Sequence, residues 1–185
     1  MYRIKAACVV ALLLWSAAAA AQLPLPLHYG SNLFSFGASG ESAMAQLGRR
    51  ENFNAHGFDM LTLYVKPGPA GDLAYWQLAT LFDGDKEALY LTAGGGADCM
   101  LHDFRIVRER PGGDPVVLVA QRDAGESYAD AAPVHFKHYI LQRNTAGMIG
   151  HPLYYFLLDR SFDAKRPYCD VGDAFKQELG IKAYR

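Results

Sequence analysis

The chain lacks the residue clusters that exported hydrolases rely on. It has no Ser-x-x-Lys motif, which excludes one common acylating serine site. It has no His-Glu-x-x-His and no His-x-His-x-Asp, so its six histidines do not assemble a zinc signature in sequence. Gly37-Ala38-Ser39-Gly40 lacks the second spacer of a nucleophile elbow and reads as a turn and a helix cap. His135 and His138 are three apart on a predicted strand, so they face opposite sides, and His102-Asp103 likewise serves both faces. Each histidine reads as structural or solvated, and the chain reads as a non-enzyme. Internal repeats are absent, and no long helical period interrupts the strands.

Basic charge is also scarce. The 18 Lys and Arg stand against 19 Asp and Glu. Residues 1–21 read as a cleavable signal peptide: Arg3 and Lys5 form a basic head, Ala6 to Trp15 an apolar run, and Ala17 to Ala21 a small-residue cleavage region. The apolar run is shorter than the ~20 residues a membrane span needs. Cleavage after Ala21 removes two basic residues and leaves a net charge of −3. No basic stripe then remains for nucleic acid, and no membrane span is expected. Residues 22–185 suffice for one domain with its own core. The expected location is the periplasm.

Of three cysteines, Cys8 falls in the leader. Cys99 and Cys169 remain, and two cysteines in an exported chain pair in an oxidising compartment.

What the chain does have is a succession of short strands and turn signals. Leu89 to Val107 reads as two strands reversed at Gly94-Gly95-Gly96, where glycine supplies backbone angles other residues resist. Phe58 to Lys66 is a strand stopped by Pro67-Gly68-Pro69, and Ala74 to Phe82 is another, closed by the Asp83-Gly84-Asp85-Lys86 turn. Val116 to Gln121 is almost wholly apolar and reads as a central strand. Val134 to Arg143 and Pro152 to Arg160 are two more. Glu41 to Arg50 reads as a short helix capped by Ser39, with Ala43, Met44 and Leu47 inward. A terminal helix runs from a cap at Asp170 or Asp173 to Leu179, with Ala174, Phe175 and Leu179 inward and Gly180 ending it. This spacing predicts an all-β fold, an antiparallel sandwich or barrel.

Two acidic loops offer oxygens for a hard cation such as calcium, which takes six to eight oxygen ligands. Asp83 and Asp85 flank a hairpin turn. Asp123, Glu126 and Asp130 share one loop, carry more carboxylates, and form the preferred candidate metal site. Tyr154-Tyr155-Phe156 and the pair Phe136 and Tyr139 put rings on both strand faces, for a thick core or a face covered by a partner subunit.

Several stretches together resemble the carbapenem intrinsic resistance proteins, the CarG-like family. They are His56-Gly57-Phe58-Asp59, Leu91 to Cys99, Leu101-His102-Asp103-Phe104-Arg105, Arg122 to Asp130, Pro133-Val134-His135-Phe136 and Tyr168-Cys169-Asp170-Val171. The resemblance runs from about His56 to Gly180. It implies an antiparallel β-sandwich of two sheets with short terminal helices, a homodimer and a bound cation. It also implies a role in carbapenem resistance or cell-envelope protection with a periplasmic partner protein. The same fold resembles an inhibitor of invertebrate-type lysozyme. An inhibitor of a lysozyme-type cell-wall hydrolase would need a protruding loop, and Ser127 and Tyr128 are the candidate partner-binding residues.

Overall fold

Alternating side chains dictate the strands. In Glu41–Arg50, Ala43, Ala45 and Leu47 are buried and their neighbours face outward, a period of two. The computed structural model describes residues 22–183, except 38–39, 55, 67–74 and 97. The expected leader, the Ser39 cap and the Pro67-Gly68-Pro69 stop lie outside the described residues.

The strands are β1 (Leu23–Pro24), β2 (Gly30–Phe36), β3 (Glu41–Arg50), β4 (Phe58–Lys66), β5 (Gln77–Leu78) and β6 (Leu81–Asp83). Then come β7 (Lys86–Ala88), β8 (Leu91–Gly95), β9 (Met100–Arg108), β10 (Pro115–Arg122), β11 (Val134–Arg143) and β12 (Tyr154–Asp163). One helix, α1 (Val171–Leu179), follows among the described residues. The expected helix at Glu41–Arg50 is therefore β3. Its Ala, Met, Gln and Leu residues favour helix on their own, but pairing on both sides, with β2 and β4, overrides that preference.

The strands form one continuous mixed sheet in the order β2-β3-β4-β8-β9-β10-β11-β12-β6-β7, with β1 beside β9 and β5 beside β4. All pairs are antiparallel except β12 with β6. The all-β class holds, but the strands are not divided into two unlinked sheets. The reason is β8. Asp59 and Leu61 of β4 pair with Ala93 and Leu91 of β8, while Gly94 and Gly95 pair with His102 and Met100 of β9. The register slips between Gly94 and Gly95, a bulge that turns the strand from one neighbour to the other.

One core gathers Ala45, Leu47, Leu61 and Leu63 from β3 and β4 with Phe104, Ile106, Val117 and Phe156 from β9, β10 and β12. The opposite face of β9 to β11 presents Val107, Leu118, Ala120 and Phe136, which α1 covers with Val171, Ala174 and Phe175. Asp170 caps α1 by accepting the Gly172 N–H at 2.6 Å. Gly180, at φ 70°, ends it, as the sequence predicts. Arg105 fixes the helix to the sheet. Its guanidinium lies 4.5 Å from the Phe175 ring centre and donates to Asp103 at 2.6 Å.

Candidate functional site

Strand register brings the resembling stretches to one end of the sheet. Arg50 pairs with Phe58, Gly95 with Met100, and Arg122 with Val134, so the loops 51–57, 96–99 and 123–133 all leave from that end. Cross-strand neighbours run Gly94, His102, Gln121, His135, Asp163 along it. The predicted Cys99–Cys169 disulfide is formed there, with Cα atoms 5.4 Å apart.

Gly94, Gly95 and Gly96 line a groove with their backbone. One hollow of about 250 Å³ is lined by Arg49, Gly57, Gly94 to Gly96, Asp98, Cys99 and Asp170. A second, of about 320 Å³, shares Gly94 and Gly95 and adds His56, Phe58, Thr92 and His102. A Cβ at Gly95 would overlap the Cys99 carbonyl oxygen, and one at Gly94 would press on Phe58 Cβ at 3.0 Å. Burial pushes the His102 imidazole below its ordinary pKa, against the weaker opposite pull of Asp103, so it sits neutral in the groove wall.

On one rim, Glu51 shapes the 51–57 loop. It accepts the N–H groups of Asn52 and Phe53, each at 2.9 Å, and pairs with Arg49 at 3.1 Å. The Phe53 N–H first, then Arg49, hold the Glu51 carboxyl below its usual range. Arg49 also approaches buried Asp59 at 3.5 Å. Phe53 takes φ 56°, unusual for a bulky side chain, and is 96% exposed.

On the other rim, Arg122 organises the 123–133 loop. Its guanidinium is buried and donates to the carbonyl oxygens of Asp123, Ala124, Ser127, Tyr128, Asp130 and Cys169. The loop's carbonyls thus already surround a cation, the chain's own arginine. The carboxylates of Asp123 and Asp163 flank the His135 ring as hydrogen-bond acceptors, Asp123 Oδ1 3.1 Å from Nε2 and Asp163 Oδ1 2.7 Å from Nδ1. The Asp163 hydrogen bond, with help from Asp123, raises the His135 pKa. Glu126 and Asp130 are exposed. Asp123, Glu126 and Asp130 share the loop 123–133, and among the described residues no group of three or more His, Cys, Asp or Glu is placed to hold a metal. Asp83 of the other acidic loop pairs with Lys137 at 2.7 Å. Ser127 Oγ accepts the Ala129 N–H, and Tyr128 is 58% exposed beside Gly96, where a Cβ would meet Tyr128 Cβ at 3.6 Å.

A separate charged cluster escapes sequence reading. Buried His138 sets Nε2 2.9 Å from Glu109 and Nδ1 3.3 Å from Asp159, and Arg160 contacts both carboxylates. The bulge between His138 and Tyr139 brings Asp159 and Arg160 to the same place, a signal no sequence period carries. Partial burial pushes Glu109 up, but its hydrogen bonds to His138 and Arg160 outweigh that and hold it low.

No family model and no curated protein matches the chain. A solved structure does: the crystal structure of CarG, with a TM-score of 0.69 and 18% identity over 83% of this chain and 94% of that one. The chain therefore shares a CarG-like fold. Among the described residues, no helix is long and apolar enough to cross a membrane.

Proposed function

We propose that this is an exported, non-enzymatic protein that protects the cell envelope against carbapenems by binding a partner protein. The likeness to the CarG fold along most of both chains carries the reading, and the resembling stretches, gathered at one end of the sheet, add to it. The Cys99–Cys169 disulfide fits an oxidising compartment, with residues 1–21 as the leader and the periplasm as the destination. The protein works as a sandwich-like binding scaffold and assembles as a homodimer. The test is direct: purified protein incubated with a carbapenem leaves the drug's absorbance unchanged, with or without zinc. Steady loss of absorbance would make it an enzyme and end the reading.

One observation favours a second reading, an inhibitor of a lysozyme-type cell-wall hydrolase. The 123–133 loop is stiffened from inside by Arg122 and presents Tyr128 outward, and a rigid loop loses less entropy on binding. In that case the protein slows lysis of cell-wall substrate, and Ser127→Ala with Tyr128→Ala removes the effect. Unslowed lysis across lysozyme types rejects it.

A further inference from the structure

Phe53 is an aromatic side chain left almost wholly exposed on a loop with an unusual backbone. An aromatic ring 96% open to water loses the burial that such a ring normally contributes. Its backbone sits at φ 56°, held there by Glu51, which takes the N–H of Phe53 and of Asn52. Asn52 in turn donates to the His56 carbonyl at 2.9 Å, and His56 N–H donates to Asn54 at 2.8 Å. These bonds hold the backbone on either side of the ring. His56 and Gly57, at the foot of that loop, line the glycine groove, and Tyr128 stands exposed at the groove's other rim. Phe53 and Tyr128 thus stand exposed on two loops that border a hollow floored by backbone.

The charge around them has one sign in excess. Asp98 and Asp170 line the groove and Glu51 adjoins it, while Asp123, Glu126 and Asp130 stand on the Tyr128 loop. Against these acids stand exposed Arg50, Arg49 already paired with Glu51 and Asp59, Arg122 buried beneath the loop carbonyls, and His135 beside Asp123, while burial lowers the His102 pKa, so the acids remain in excess. An anionic lipid surface would be repelled by this rim. A protein surface with lysines or arginines around an apolar socket is complementary to it.

Resting on the partner-binding reading above, we infer that Phe53 is the anchor of a docking surface for a basic protein partner. The ring enters an apolar socket of the partner, and the groove and the Tyr128 rim seat the surrounding basic surface. A few residues supply most of the binding energy at protein interfaces, and aromatic side chains, Phe among them, are enriched there.

The test places the photoreactive residue p-benzoylphenylalanine at position 53 of the full chain, exported from a Gram-negative host. Position 149 serves as control, because Ile149 is fully exposed but lies in the loop after β11, at the opposite end of the sheet. The expected result is a protein adduct at 53 and not at 149, identified by mass as a protein of net positive charge. Rebuilt from purified parts, that complex weakens about tenfold or more with Phe53→Ala and with the groove-filling Gly96→Leu. It also weakens as salt rises, and is indifferent to Ile149→Ala. Absence of an adduct above the control, an adduct with lipid or with an acidic protein, or full affinity in Phe53→Ala overturns the inference. The parent reading fails separately: if the wild-type protein gives no carbapenem tolerance, the reading falls, whereas tolerance kept intact by Phe53→Ala removes only the anchor.

Discussion

Cys99 and Cys169, 70 residues apart in sequence, bring their Cα atoms within 5.4 Å and join the glycine turn to the residue before the α1 cap. Closing a loop of that length constrains the unfolded chain, and the chain-entropy account gives about 4 kcal/mol. Replacing both cysteines with alanine should lower the stability read from urea unfolding by about that amount. The native chain should also weigh two hydrogens less than the reduced one.

Arg122→Met removes the shared donor of six carbonyls, of which Ser127 still accepts the Asp130 N–H, while keeping much of the side chain's bulk. A buried acceptor without a partner costs about 1–3 kcal/mol. The variant should lose roughly 3 kcal/mol of stability and become sensitive to limited proteolysis between 123 and 133. Because the arginine already occupies the centre of those carbonyls, adding calcium or EDTA should leave the wild-type melting temperature unchanged. A rise with calcium would show a metal site in this loop.

His135 gives the pH dependence its sign. Its pKa is raised in the folded protein, first by the Asp163 hydrogen bond. The stability it contributes is therefore complete below the unfolded value of about 6.5 and fades as pH rises through the folded pKa. His135→Gln should be less stable than wild type at pH 5 and close to it at pH 8.5, measured as the difference in Tm. The effect is small, because the pair is exposed.

Two adjacent glycines should answer differently. Gly95→Ala drives a methyl group into the Cys99 carbonyl and should lose more than about 2 kcal/mol or fail to fold. Gly96→Ala meets only Tyr128 Cβ at van der Waals distance and should stay within about 0.5 kcal/mol of wild type. Thermal melts of the pair decide it.

The sequence made β4, β11 and α1 legible because each has a clear period, a cap or a turn at its ends. Asp170 and Gly180 close α1 where cap chemistry places them. Glu41–Arg50 misleads because good helix formers occupy a strand whose burial alternates at Ala43, Ala45 and Leu47. The linkage of all strands through β8 is invisible in sequence, since it depends on which neighbours a five-residue strand pairs with. At the candidate site, the disulfide follows from counting cysteines. The role of Arg122 does not, because a buried arginine satisfied by carbonyls reads in sequence as any surface cation. Phe53 carries no signal either: its interest lies in φ and exposure, which belong to the folded chain.

Protection without hydrolysis is tested by carbapenem tolerance in a sensitive Gram-negative strain that exports this protein, alone and with its genomic neighbours, while the drug remaining in the medium is assayed. The expected outcome is that tolerance rises and the drug stays intact. Tolerance that tracks disappearance of the drug, or no tolerance in any combination, would contradict it.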